Sequence, residues 1–137
     1  MLTPMRWAAI CALALLPGCS LGGDEEPVRA SGAAREIEVV VRQLELATGR
    51  SDGSTVCEDL LTRAARARMG GDACARRVRA RLARVREPRI ALRGIALRDG
   101  GGRAVARLRT EVEGRRPLDE ALELRRVEGE WRFEALR

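Results

Sequence analysis

The side chains able to do chemistry in this chain are few in kind. Four cysteines (Cys11, Cys19, Cys57 and Cys74), a scatter of carboxylates and a large set of guanidinium groups make up the inventory. All 26 basic residues are arginine; histidine, lysine and tyrosine are absent. Histidine bases, histidine metal ligands, lysine Schiff bases and tyrosine oxyanion donors are therefore excluded. General acid–base work would fall to a carboxylate held in a cavity near its operating pKa. The strand candidates are Glu111, Glu113, Glu120 and Glu123. Alternation sets Glu111 and Glu113 opposite the Leu108/Val112 face, toward solvent. Glu120 shares the parity of Leu122 and Leu124 and is the inward candidate. A lone glutamate at a strand end is more often solvated than catalytic, and no reaction class follows from it. Cys57 and Cys74 lack the two further ligands a zinc site needs, and their spacing is not the Cys-x-x-Cys of a redox pair. No metal or cofactor is expected.

The N-terminus carries an address. Arg6 is the only charge before Asp24, and Trp7 to Leu16 is apolar. Ten residues span about 15 Å as helix, half of a roughly 30 Å bilayer core, so residues 1–18 read as a signal peptide and not as a membrane anchor. The run ends in Leu16-Pro17-Gly18-Cys19, which resembles a bacterial lipobox with an unusual proline at position 17. The resemblance implies lipidation of Cys19, export, and attachment to the outer face of the cell membrane. An ordinary secretory signal with an incidental cysteine is the alternative; both export the chain. Cys11 leaves with the signal, and the two cysteines left in an exported domain, Cys57 and Cys74, are expected to pair.

The 26 arginines oppose 20 acids, for a net charge of +6. After loss of residues 1–18 the balance is −5 over 19–62, +9 over 63–93 and +1 over 94–137. Arg76, Arg77, Arg79, Arg81 and Arg84 crowd one helical stretch, a candidate contact for anionic lipid headgroups or an envelope polymer. A solvated helix face is the commoner explanation for them. Nucleic acid is not expected as a partner, since no base-reading motif or aromatic interleaving accompanies the charge.

Periodicity supplies the elements that must position these groups. Residues 19–33 are Gly-rich and acidic and read as a flexible tether; the domain runs over 34–137. Ile37, Val40, Val41 and Leu44 mark one helix face, ended by Gly49. Thr55 and Glu58 form a capping box for a second helix with Leu60, Leu61 and Ala64 inward, ending near Gly70. Asp72 is placed to cap a third helix carrying Cys74, Val78, Leu82 and Val85, ended by Glu87-Pro88. The period then becomes two. Ile90 and Leu92 change phase at Gly94 to Ile95 and Leu97, the mark of a β-bulge. Ala104, Ala106 and Leu108, then Leu122 and Leu124, then Trp131 and Phe133 continue the alternation, with turns at 99–102, 114–117 and 128–129. Three N-terminal helices followed by four strands predict an α+β fold with an antiparallel sheet.

This succession, the slip at Gly94 and the closing hairpin from Arg125 through Gly129 and Trp131 to Phe133 resemble the nuclear transport factor 2-like (polyketide-cyclase-like) superfamily over residues 34–137. Cys57 and Cys74 between the second and third helices also resemble the pair of small exported lipoproteins of high-GC actinobacteria. The superfamily resemblance implies a curved four-stranded sheet wrapped on the helices as a cone around an apolar cavity, with Leu108, Leu122, Leu124, Trp131 and Phe133 as candidate lining. As the only large aromatics after residue 18, Trp131 and Phe133 are more often core anchors than cavity lining. None of the superfamily's catalytic residues carries over. A non-catalytic module binding an apolar ligand or a protein is expected, with an enzyme using an inward carboxylate on a hydrophobic small molecule as the alternative.

Overall fold

A computed structural model describes residues 25–26 and 32–136 of the chain. The segment read as a signal, the candidate lipidation site Cys19 and most of the tether expected over 19–33 lie outside the described residues. Helix α1 spans Gly32–Gly49. It stays helical through the β-branched run Val39–Val41 because Ile37 and Val41, one turn apart, are buried in the core. Tertiary burial here overrides a modest propensity cost. Val40 and Leu44 are half-buried on the same face.

The single second helix expected over residues 55–70 is divided in two. A π-helical segment, Thr55–Leu60, is followed by Leu61 and Thr62 in extended geometry and then by α2, Arg63–Arg68. The break has a partner: Leu61 forms a parallel bridge with Phe133, and the Thr62 N–H donates to the Phe133 carbonyl at 3.0 Å. Thr62 Oγ1 then accepts the Ala65 N–H at 3.2 Å and restarts the helix. The restart changes which residue turns inward, so Ala65 is buried and Ala64 is exposed. The Thr55–Glu58 capping box does not form. Asp52 takes that role, accepting the Thr55 N–H at 3.0 Å and the Thr55 hydroxyl at 2.7 Å.

Those two bonds, the backbone one first, hold the Asp52 carboxyl below its ordinary pKa of 3.8. A carboxylate with a depressed pKa contributes stability that is present above its unfolded value and is lost as pH falls through the folded one. Asp52→Asn is therefore expected to melt lower at neutral pH and to lose less melting temperature on acidification below about pH 4. Parallel melting curves for the two proteins across that range would contradict the assignment.

Helix α3 spans Cys74–Leu82, shorter than expected because turns occupy residues 83–88. Asp72 sits in the preceding 3-10 turn with an exposed side chain and makes no cap; it lies 4.0 Å from Arg66 instead. Cys57 and Cys74 are disulfide-bonded, Cα atoms 6.0 Å apart, and tie the π-helical segment to the start of α3.

Strands β2 (Arg89–Arg98), β3 (Arg103–Glu111), β4 (Leu118–Val127) and β5 (Glu130–Leu136) form an antiparallel sheet in sequential order. A two-residue strand β1, Glu25–Glu26, pairs with Ala96 and Ile95 on the outer edge of β2. Arg93 is the extra residue between the Leu92–Leu108 and Gly94–Arg107 pairs, so the bulge falls where the phase slip predicts it. A second bulge occurs at Glu134, between the Glu123–Ala135 and Leu124–Phe133 pairs. One sheet face buries Ile95, Ala104, Ala106, Leu108, Leu122, Leu124 and Phe133 against the helices. The other carries cross-strand ion pairs, among them Arg109–Asp119 at 3.3 Å.

Candidate functional site

The apolar stripe of the third helix does not stay in the core along its whole length. Cys74 and Val78 are buried, whereas Leu82 and Val85 are half-buried. The gap that opens beneath them is a cleft of about 560 Å³ between α2, α3 and the inner face of the sheet. That size suits a small ligand. Leu108, Leu122 and Phe133 line it from β3, β4 and β5, facing Val78, Leu82 and Val85. Val56, Ala65 and Met69 add further apolar surface. The charged groups on its lining are Arg68, Arg81, Glu120 and Glu134.

Leu124 and Trp131, also candidates for a cavity lining, do not line this cleft. Leu124 is 1% exposed within the core. Trp131 is turned toward α1: its Nε1–H donates to Glu36 at 3.0 Å, and the Arg126 guanidinium lies 5.3 Å from its ring centroid. It borders a separate groove of about 680 Å³ along α1, where the exposed Val39 and Leu46 sit among Glu36, Arg50 and Asp59. The mixed charge of that groove distinguishes it from the apolar cleft.

Glu120 reaches the cleft lining but is half-exposed, and its carboxylate accepts the Thr110 hydroxyl at 3.4 Å. Glu111 and Glu113 are exposed, as alternation predicts. Glu134 lies between Arg125 at 3.6 Å and Arg103 at 3.8 Å. Those two guanidiniums stand directly opposite each other on β4 and β3, and the Glu134 bulge brings a carboxylate between like charges that would otherwise repel. Among the described residues, no group of three or more His, Cys, Asp or Glu side chains is placed to hold a metal ion. No described helix is long and apolar enough to cross a membrane.

Arg76, Arg77, Arg79, Arg81 and Arg84 are all exposed, and Arg77 folds over Gly70. Among the described residues, the ion pairs fall mainly on the sheet. Arg103, Arg109, Arg125 and Arg132 have carboxylate partners there, while the stretch 63–93 holds one long pair, Arg66–Asp72 at 4.0 Å. The basic region is thus set out toward solvent with few carboxylates near it, Asp72 beside Arg66 and Asp52 within electrostatic reach of Arg79.

The alternation of β3, β4 and β5 and the stripe on α3 locate the cleft's walls. Periodicity did not show its rim, where Arg68 ends the unanticipated short α2 and Met69 caps it, or the partial exposure of Leu82 and Val85. The side-by-side placement of Arg81 and Leu82 on the last turn of α3 was the available signal. No family model, curated protein or solved structure matches the chain.

Proposed function

We propose that the protein is an exported lipoprotein, anchored to the outer face of the cell membrane through Cys19, whose domain is a non-catalytic, cone-like module of the nuclear transport factor 2-like kind that takes an apolar ligand or an apolar protein segment. The observation that carries the reading is the cleft beneath Leu82 and Val85, apolar on both walls. The bulges at Arg93 and Glu134 favour the cone, since each bends its strand. The exposed arginines of α3 suit a domain tethered beside anionic headgroups, where each basic group near the surface contributes about 1 kcal/mol.

An apolar fluorophore is expected to brighten and shift to the blue on binding the mature protein, with Leu82→Gln weakening the response. Leu82 is half-buried, so the fold tolerates the change. No response from the wild type would end the ligand reading. Fatty-acid labelling in the native host is expected to mark the chain and to disappear in Cys19→Ser; label retained in that variant would remove the anchor.

Glu120 on the cleft lining gives the enzyme alternative its one foothold. It calls for a polyketide-cyclase-like reaction through that carboxylate. The module reading is preferred because Glu120 is half-exposed, while the other lining carboxylate, Glu134, is engaged by two arginines.

A further inference from the structure

Two observations about the cleft are independent of its apolar walls. The first is the position of Arg81. It stands three residues after Val78 on α3, so the helix side that lines the cleft also carries a guanidinium. The second is the charge balance of the lining. Two arginines and two glutamates are present, but they do not cancel within the cleft. Glu134 is held by Arg103 and Arg125 from outside it, and Glu120 accepts the Thr110 hydroxyl. Arg68 Nη2 donates to the backbone carbonyl of Glu134, which fixes that guanidinium at the rim while leaving donors unused. Arg81 is exposed and has no ion-pair partner among the described residues.

We infer that the cleft takes a single-chain amphiphile with an anionic head, its hydrocarbon tail between α3 and the sheet and its carboxylate or phosphate head paired with Arg81. This rests on the ligand-binding reading above and adds the class of ligand. An apolar slot with one free, planar, multidentate cation at its mouth matches such a molecule at both ends. A neutral hydrocarbon would leave Arg81 unused. A small anion would leave the apolar walls wet. The neighbouring arginines, Arg76, Arg77 and Arg79 on α3 and Arg84 just past its end, raise the local potential and draw anions toward the mouth without touching the ligand.

The test compares dodecanoate with dodecanol by calorimetric titration of the mature wild-type protein and of Arg81→Gln and Arg76→Gln, with sulfate as a tail-less anion. The expected result is that dodecanoate binds at least tenfold more tightly than dodecanol to the wild type. Arg81→Gln removes that difference, Arg76→Gln preserves it, and sulfate binds none of the proteins appreciably. Equal binding of acid and alcohol to the wild type, with Arg81→Gln without effect, overturns the head-group assignment while leaving the apolar cleft intact. A loss as large in Arg76→Gln as in Arg81→Gln overturns it in favour of a diffuse field. Failure of both dodecyl ligands to bind overturns this inference and the ligand-binding reading together.

Discussion

Cys57→Ala is expected to lower the melting temperature of the mature protein by about 10–15 °C in the absence of reductant. Sixteen residues separate the two cysteines, and closing a loop of that length restricts the unfolded chain by about 3 kcal/mol in the chain-entropy description. Both side chains are essentially inaccessible, 1% and 0% exposed, so truncation also leaves a void in the core. The bridge matters because of what it joins. On one side is a π-helical segment, and on the other is α3, whose outer end overhangs the cleft. Added reductant at ambient temperature is expected to act slowly on the wild type, since the sulfurs must first be exposed. An unchanged melting temperature in Cys57→Ala would show that the bridge contributes nothing.

The second large effect is expected at Gly53, on the same seam. A Cβ at that position would lie 2.1 Å from the Ala75 carbonyl oxygen and 3.0 Å from both the Ala75 carbonyl carbon and the Arg79 nitrogen. These are backbone atoms of α3, so no rotamer change can relieve the overlap. The whole helix must move. Gly53→Ala is expected to cost about 3 kcal/mol, the upper end of overpacking penalties, and to weaken binding of an apolar ligand by displacing α3. Gly32→Ala is the control: nothing lies within 4 Å of its Cβ position, and a change within about 0.5 kcal/mol is expected. Chemical denaturation of both variants reads the difference. Equal midpoints would mean that the close approach of residue 53 to α3 is absent in solution.

These sites also mark where the sequence was legible and where it was not. The first helix and all four long strands were readable because each buries one face, and the period of burial is set by the backbone itself. The bulge at Arg93 was readable because Gly94 interrupts an otherwise clean alternation. The one at Glu134 was not, for Trp131, Phe133 and Ala135 continue the alternation unbroken and the extra residue is revealed only by pairing with β4. The division of the second helix was hidden for a related reason. Leu61 and Thr62 leave helical geometry to bond Phe133, more than seventy residues away in sequence. Local propensity carries no record of that partner. Asp52 displaced the Thr55–Glu58 box because it lies three residues before Thr55 and offers two oxygens to it. The cleft belongs to the same class. Its walls follow from periodicity, but its existence depends on Leu82 and Val85 being only half-buried where α3 ends.

The composition excluded histidine, lysine and tyrosine chemistry from the start, and the arrangement of the carboxylates is consistent with binding: Glu120 with Thr110, and Glu134 between Arg103 and Arg125. The arginines divide by surface. Arg103, Arg109, Arg125 and Arg132 on the sheet have carboxylate partners, Arg109 with Asp119 across β3 and β4, and each such exposed pair contributes little to stability. Those of α3 are exposed, with Arg81 on the cleft lining and Arg79 near the Asp52 carboxylate.

The measurement that bears most directly on the account is a methyl-resolved NMR titration of the mature protein with dodecanol. Perturbations are expected to concentrate on Val78, Leu82, Val85, Leu108 and Leu122, the methyl-bearing walls of the cleft. Perturbations confined to Val39 and Leu46 along α1, or none at saturating ligand, would contradict it.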